Sequence, residues 1–351
     1  VNAGANSGVL IRDDDHYLAS FSTGQGSNGE WTARTAGTWA NGIKVEICAE
    51  GTAYEQDLST NNLVNTSTSA VGDTSIIVDD ADASGFEFNV GDLISFYSDT
   101  SNTVAVDDFN EYEVTAINTS TNALTIRLKD DPSGAGLQTA IPDDSKIKRR
   151  WKYADLFTGP PGTSQYSTDN SRGSGDELHV VVADGTGDIT GFDTDTAGNR
   201  TRGVIETFGF MSKNPSAKSP QGDSIYYPDV FFRKSSFIYW TDHISAGSNW
   251  GSDTTTTYTA VTTTVIDELT GGTDDYSTTA GEIELAYDKF KNAESEDINL
   301  VIGGSSSIVA DTAAAQDTHV TMLVNLVEGR KDCVAFASPY RSAVVGVTTS
   351  S

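Results

Sequence analysis

The sequence predicts a mixed α+β fold that is rich in strands and ends in a unit where helices and strands alternate. Hydrophobic residues make up 37% of the 351 positions, which is enough for buried cores, and there are 33 glycines but only 8 prolines and 2 methionines. Such a composition is typical of short strands joined by many turns. The length corresponds to about two domains.

Three apolar segments near the N-terminus, separated by glycine-rich turns, are predicted to be strands. They are residues 7–11, 17–21 and 43–49. Residues 24–29 match the G-x-G-x-x-G dinucleotide fingerprint, but residues 30–37 lack the apolar period of the helix that would hold a pyrophosphate. We therefore expect a flexible loop there and no bound cofactor.

Residues 66–144 are predicted to form a small all-β domain, a barrel or a sandwich, inserted into a parent domain. Five short strands are expected, at 75–78, 86–88, 93–97, 112–117 and 123–128. A turn containing Asp79, Asp80 and Asp82 lacks the loop length and closing glutamate of a calcium site. We expect it to be a solvated acidic turn.

The chain carries a strong negative charge, with 50 acidic and 22 basic residues and a formal net charge of -28. Because this charge repels a phosphate backbone, no nucleic-acid partner is expected. The basic cluster at 146–150, together with Lys152, is predicted to be an exposed strand edge blunted by charge. No apolar stretch approaches the roughly 20 residues of a membrane-spanning helix, so no membrane insertion is expected.

A hairpin is predicted from residues 177–182 and 203–208, around a long polar loop at 184–202. The glycines and aspartates of that loop resemble a calcium loop, but their spacing fits no standard metal site. Two apolar stretches come next, at 224–233 and 237–240, and the second is aromatic enough to be largely buried.

The last hundred or so residues predict a helix at 280–292, a strand at 298–304, a helix at 311–329 and a strand at 333–337. Thr279 is the expected N-cap of the first helix and Glu282 completes a capping box. This order is typical of α/β layering around a parallel sheet with right-handed connections.

Two cysteines, Cys48 and Cys333, lie in apolar, strand-like segments, where a lone cysteine usually behaves as a small buried hydrophobe. The sequence alone leaves open whether the two cysteines form a disulfide. Two cysteines in a chain of this length fit a reducing compartment well. Because the sequence lacks an initiator methionine and stops abruptly at 348–351, we expect it to be a fragment of a longer protein.

Several stretches resemble the contractile-tail sheath proteins of myophages with T4-like tails. Residues 37–47 resemble the family's "GTWGNxIxVxV" stretch, 269–272 its "L-x-GG" segment, 213–243 its aromatic mid-section, and 330–346 its "R-x-D-C … S-P-x-R … VVG" segment. The motif residues singled out as structural sites are Gly37, Trp39, Gly42, Gly271, Gly272, Asp332, Cys333, Ser338, Pro339 and Arg341.

The resemblance implies a structural subunit that stacks as hexameric rings around a tail tube and contracts to drive the tube through the host envelope. Its partners would be further copies of itself, the tube protein, and the baseplate and tail terminator proteins. It would be assembled in the host cytoplasm and reside in the virion. The fragment would lack the N- and C-terminal extensions that link neighbouring subunits.

The resemblance also implies a domain plan. Residues 1–65 and 145–351 would form the sheath core, β-rich to about 265 and then a non-catalytic, subtilisin-like α/β unit over about 266–351. The insertion at 66–144 would lie on the sheath exterior.

Two rival interpretations fit the sequence less well. A hydrolase is disfavoured because His16, His179, His243 and His319 have no recognisable catalytic context, and residues 303–307 are not a G-x-S-x-G elbow. We expect no catalytic residue, no cofactor and no metal, with His319 a tolerated surface or core histidine. A secreted acidic adhesin or carbohydrate-binding module would explain the Thr- and Asn-rich strands, but not the C-terminal α/β unit.

Overall fold

The computed structural model describes residues 1–24, 27–58, 62–66, 69–99, 101, 103–129, 131, 133–191, 193–194, 200–201, 203–305 and 309–346. The chain divides into two compact units, unit 1 (Val1–Asp274) and unit 2 (Asp275–Ser351). In the described residues, no helix is long and apolar enough to cross a membrane.

In the described residues of unit 1, strands outnumber helices, of which there are four short ones. The helices are α1 (Asp14–Ser20), α2 (Gly51–Tyr54), α3 (Gln165–Asp169) and α4 (Tyr227–Lys234). The strands are β1 (Trp31–Ala33), β2 (Ile43–Cys48), β3 (Glu55–Asp57), β4 (Ser75–Ile77), β5 (Leu93–Tyr97), β6 (Tyr112–Asn118), β7 (Ala123–Leu128), β8 (Lys146–Arg150), β9 (Glu177–Asp184), β10 (Asp193–Thr194), β11 (Arg200–Thr201), β12 (Val204–Ser212), β13 (Ile238–Trp240) and β14 (Val265–Glu268).

A four-stranded antiparallel sheet in the order β12-β9-β2-β14 forms the centre of unit 1. Its inner strands β2 and β9 are almost wholly buried, although β2 also carries Lys44 and Glu46. Aromatic side chains from β1, α4 and β13 share its core, among them Trp31, Phe231 and Trp240. The predicted strand at 43–49 and the predicted hairpin of 177–182 with 203–208 are confirmed.

A six-stranded antiparallel sheet in the order β3-β8-β5-β6-β7-β4 has a hydrophobic core of its own. Four of the five strands predicted within 66–144 are confirmed as β4 to β7. The predicted strand at 86–88 is wrong, because these residues belong to a turn-rich loop, although Phe88 is buried. Since the sheet also includes β3 and β8, the division into an inserted domain at 66–144 stays a prediction.

Three further predictions for unit 1 are corrected. Residues 17–21 form no strand: they overlap α1, which begins after the N-cap Asp13 and buries Tyr17. Residues 7–11 contribute only an isolated bridge from Val9 to Asn2. The basic strand at 146–150 is no exposed edge, because β8 lies between β3 and β5, with Arg149 only 2% exposed.

Unit 2 contains α5 (Ala280–Asp288), β15 (Leu300–Ser305), α6 (Ala313–Arg330) and β16 (Val334–Ser338). Strands β15 and β16 pair in parallel, and the capping box of Thr279 and Glu282 is present. The two helices and two strands predicted here are confirmed, as is the mixed, strand-rich fold class. The likeness of this unit to subtilisin stays a prediction.

Candidate functional site

Two of the motif stretches, more than two hundred residues apart in sequence, lie against each other in unit 1. The N–H of Gly42 donates to the carbonyl of Leu269 at 2.8 Å, and the N–H of Leu269 donates to the carbonyl of Ile43 at 2.8 Å. These bonds continue the pairing of β2 with β14. We call the region formed by residues 37–43 and 269–274 the glycine junction.

A reciprocal pair of hydrogen bonds closes the junction. The Nδ2 of Asn41 donates to the carbonyl of Gly272 at 3.0 Å, while the N–H of Gly272 donates to Asn41 Oδ1 at 2.8 Å. A Cβ added at Gly272 would lie 2.3 Å from the carbonyl oxygen of Gly37. The two chain segments can therefore approach this closely only because Gly272 has no side chain.

Gly42 is the second position where only glycine fits. Its φ is +84°, and a Cβ there would lie 2.3 Å from Cγ2 of Thr186. Its carbonyl accepts the N–H of Gly185 at 2.9 Å, so the loop after β9 is held against the junction. A left-handed backbone and a close neighbour together explain the glycine.

Electrostatics at the edge of the junction depend on Asp274. Its carboxylate accepts the Thr38 hydroxyl at 2.6 Å and the Thr38 N–H at 3.0 Å. These two donors, the hydroxyl first, hold the pKa of Asp274 below its ordinary value. Asp274 therefore stays charged at neutral pH and fixes the start of the motif stretch.

The other motif residues of unit 1 lie in the same place. Gly37 precedes the short 3₁₀ turn that carries Trp39, and the half-buried indole of Trp39 lies 6.2 Å from the ring of Phe237. A Cβ at Gly271 would lie 2.6 Å from the backbone nitrogen of Gly8. The structure thus brings Gly37, Trp39, Gly42, Gly271 and Gly272 together.

The remaining five motif residues lie in unit 2. The carboxylate of Asp332 accepts two hydrogen bonds from Arg330, from Nε at 3.0 Å and from Nη2 at 2.8 Å. Cys333 is buried beside Val301, Met322, Leu323 and Leu326. Ser338 ends β16, Pro339 comes directly after it, and Arg341 begins a 3₁₀ turn.

Arg330 is the residue that sequence reasoning left out of the site. Its side chain is fully buried, and its guanidinium also donates to the carbonyls of Phe290 at 2.5 Å and Glu296 at 2.7 Å. One arginine therefore ties the loop after α5 to the turn between α6 and β16. The sequence signal for it was an arginine two residues before an aspartate at the end of an amphipathic helix.

Within the described residues, neither unit contains a group of three or more side chains that could bind a metal ion. In the polar loop after β9, Asp184 accepts N–H groups of Gly187, Ile189 and Thr190. Burial raises the pKa of Asp184, but these donors outweigh it and the pKa is lowered. Residues 25–26, 192, 195–199 and 202 of the predicted loops lie outside the described residues.

Three histidines, two of them buried and His243 half-buried, have structural contacts. His319 Nε2 lies 2.6 Å from the carbonyl of Gly303, and His243 Nδ1 lies 2.5 Å from the hydroxyl of Tyr227. His179 Nδ1 accepts the N–H of Phe210 at 3.0 Å. Both cysteines are buried and carry free thiols. Burial raises the pKa of Cys48 to about 12, so this thiol is unreactive at neutral pH.

Comparison with known proteins identifies two tail sheath proteins as relatives. The chain is 33% identical over 129 residues to the tail sheath protein of Enterobacteria phage T4. This aligned stretch covers 36% of this chain and 17% of that protein. The chain is 29% identical over 143 residues to the tail sheath protein of Salmonella phage ViI, covering 41% of this chain and 18% of that protein.

The aligned part therefore spans less than a fifth of either curated relative. No family model matches the chain. No solved structure matches it either. The predicted resemblance to T4-like tail sheath proteins is confirmed by the two relatives.

Proposed function

We propose, from this relationship to tail sheath proteins, that the chain is part of a structural subunit of a phage contractile tail. The observation that carries the proposal is the similarity to two proteins that are both tail sheath proteins. The glycine junction supports it, because two motif stretches far apart in sequence form one packed structural element. The role is mechanical, and we propose no catalytic activity.

In the proposed mechanism, subunits stack as hexameric rings around a tail tube in an extended, metastable state. A baseplate trigger releases them into a shorter and wider cylinder, which drives the tube through the host envelope during genome ejection. Each subunit keeps its fold while the interfaces between subunits repack. The proposed partners are other copies of the chain, the tube protein, and the baseplate and tail terminator proteins.

The proposed arrangement places residues 1–65 and 145–351 in the sheath core and 66–144 on the sheath exterior. The separate hydrophobic core of the six-stranded sheet supports a distinct module there. The large negative charge supports assembly with proteins and not with nucleic acid. The proposed location is the virion, with assembly in the host cytoplasm.

Negative-stain electron microscopy of the complete gene product, expressed alone, tests this proposal. We expect striated hollow tubes of constant width, because sheath subunits carry their own assembly contacts. Monodisperse monomers that bind sugar would contradict it and favour the adhesin interpretation. Repeating the imaging at several protein concentrations separates slow assembly from a lack of assembly.

A further inference from the structure

Charged side chains lie between the four-stranded and the six-stranded sheet of unit 1, where a hydrophobic contact would be usual. Arg149, on β8 of the six-stranded sheet, is 2% exposed, and Glu46, on β2 of the four-stranded sheet, is 1% exposed. Asp92, at the start of β5, is 3% exposed. Charges are retained in such a place only when they are paired and hydrogen-bonded.

Arg149 contacts three separate parts of the chain: residues 52–56, Glu87 and Thr262. Its guanidinium donates to the carbonyl of Glu87, to Gln56 Oε1 at 2.7 Å, to the carbonyl of Thr52 at 3.2 Å and to the carbonyl of Thr262 at 3.0 Å. Thr262 lies three residues before β14, the edge strand of the four-stranded sheet. One buried side chain thus connects the six-stranded sheet to the segment that leads into the four-stranded sheet.

A second connection is made by the residues directly after β8. Lys152 Nζ lies 2.5 Å from Glu46 Oε1, and the indole Nε1 of Trp151 lies 3.4 Å from Glu46 Oε2. The Lys152 side chain is only 15% exposed, and Trp151 is fully buried. Glu46 therefore receives both of its donors from the chain segment that leaves the six-stranded sheet.

Asp92 completes the group. Its carboxylate lies 3.9 Å from Arg149 Nη1 and accepts the N–H of Asn89 at 2.7 Å. Burial raises the pKa of Asp92 to about 6 against the opposing effect of Arg149, so the carboxyl is still mostly ionised at neutral pH. Asn89 in turn donates to Thr264 Oγ1 at 3.0 Å, a further contact to the segment before β14. Two cations and two anions leave no net charge in the interface.

We propose that Glu46, Asp92, Arg149 and Lys152 form a charge latch that fixes the six-stranded sheet to the four-stranded sheet as one rigid body. A hydrophobic contact between two sheets is non-directional, whereas these hydrogen bonds specify one orientation of the two sheets. A displaced sheet would leave a buried charge without its partner. The latch goes beyond the proposed sheath role, since it requires only the isolated chain.

Hydrogen exchange of the full 351-residue chain, read by mass spectrometry, tests the latch. The variant Glu46→Gln keeps the side-chain shape but removes the charge opposite Lys152. We expect exchange at 85–92, 149–153 and 261–264 to rise at least about tenfold, while β6 and β9 keep their protection. The double variant Glu46→Leu/Lys152→Met removes both charges and is expected to exchange more slowly at these segments than Glu46→Gln.

The control is Lys44→Met, which removes a charge from the same strand at the more exposed pair with Glu268. It is expected to leave the three segments unchanged. Wild-type exchange in Glu46→Gln would overturn the latch. Equal loosening of β6 and β9, or unfolding of the whole chain, would overturn it too, because the effect would then be global. None of these outcomes bears on tube formation, so failure of the latch and failure of the proposed function can be told apart.

Discussion

Replacing Arg330 with methionine should open unit 2 while leaving unit 1 folded. The guanidinium makes four hydrogen bonds, two to Asp332 and one each to the carbonyls of Phe290 and Glu296. Methionine fills a similar volume but donates none of them. The loop after α5 and the turn before β16 then lose their common tie.

The expected loss of stability comes from burial. Removing one partner of a buried ion pair costs about 3–5 kcal/mol. Because the Asp332 side chain is 38% exposed and can be solvated, the lower end, about 3 kcal/mol, applies. The variant also leaves the carbonyls of Phe290 and Glu296 without their charged donor, which is consistent with a loss of stability of that size. A unit of this length has little stability to spare.

The two cysteines and five tryptophans allow each unit to be followed separately. All five tryptophans, Trp31, Trp39, Trp151, Trp240 and Trp250, lie in unit 1. Cys333 is buried in unit 2, so in a Cys48→Ala background its reaction with a thiol reagent reports opening of unit 2. We expect Arg330→Met to accelerate labelling about 100-fold, since each 1.4 kcal/mol gives a factor of ten.

Lys291→Met is the matched control, because it removes an exposed charge from the same loop. Its labelling rate is expected to stay within a factor of about three of the parent, as surface ion pairs contribute little. The urea midpoint of tryptophan fluorescence should not move in either variant. An increase of less than tenfold for Arg330→Met would refute the structural role of the arginine.

Three further variants test individual features of unit 1. Burial, and then the Glu30 carboxylate, raise the pKa of Asp267 to about 6, so its stabilising contribution is complete below about pH 4 and lost as pH rises through 6. Asp267→Asn should therefore gain about 1–2 kcal/mol in urea unfolding at pH 7.5 and nothing at pH 4; an equal gain at both would contradict this. Gly42→Ala should lose about 1–3 kcal/mol, because φ is +84° and Thr186 occupies the space of the new methyl group; an unchanged melting temperature would exclude the steric explanation. Burial lowers the pKa of His179, so its contribution is present above about pH 6.5 and lost as pH falls below it. His179→Gln should flatten the pH dependence of unfolding stability below about pH 6.5, and an unchanged slope there would show that another group titrates.

Some helices and strands could be predicted because capping residues or apolar patterns within the element itself indicate them. The capping box of Thr279 and Glu282 and the apolar face of α6 were sufficient for both helices of unit 2. Strand β2 was predicted because apolar residues alternate along 43–49, and β9 because it carries a short apolar run.

Elements determined by distant contacts were missed. Helix α1 holds a single buried anchor, Tyr17, whose hydroxyl donates to the carbonyl of Trp240 at 2.7 Å, and no periodicity reveals that contact. Strand β8 looked like a charged edge because the acceptors of Arg149 come from residues 52, 87 and 262. The meeting of the motif glycines was likewise invisible in sequence, where 37–42 and 269–272 lie far apart.

Immunogold electron microscopy of the phage that encodes this protein tests the sheath assignment most directly. Antibodies would be raised against the 351-residue chain and adsorbed against lysate from uninfected host cells. If the chain is part of the sheath, gold particles will decorate the tail along its whole length between the head and the baseplate. Gold confined to fibres, baseplate or head, with a bare tail shaft, would contradict the sheath role.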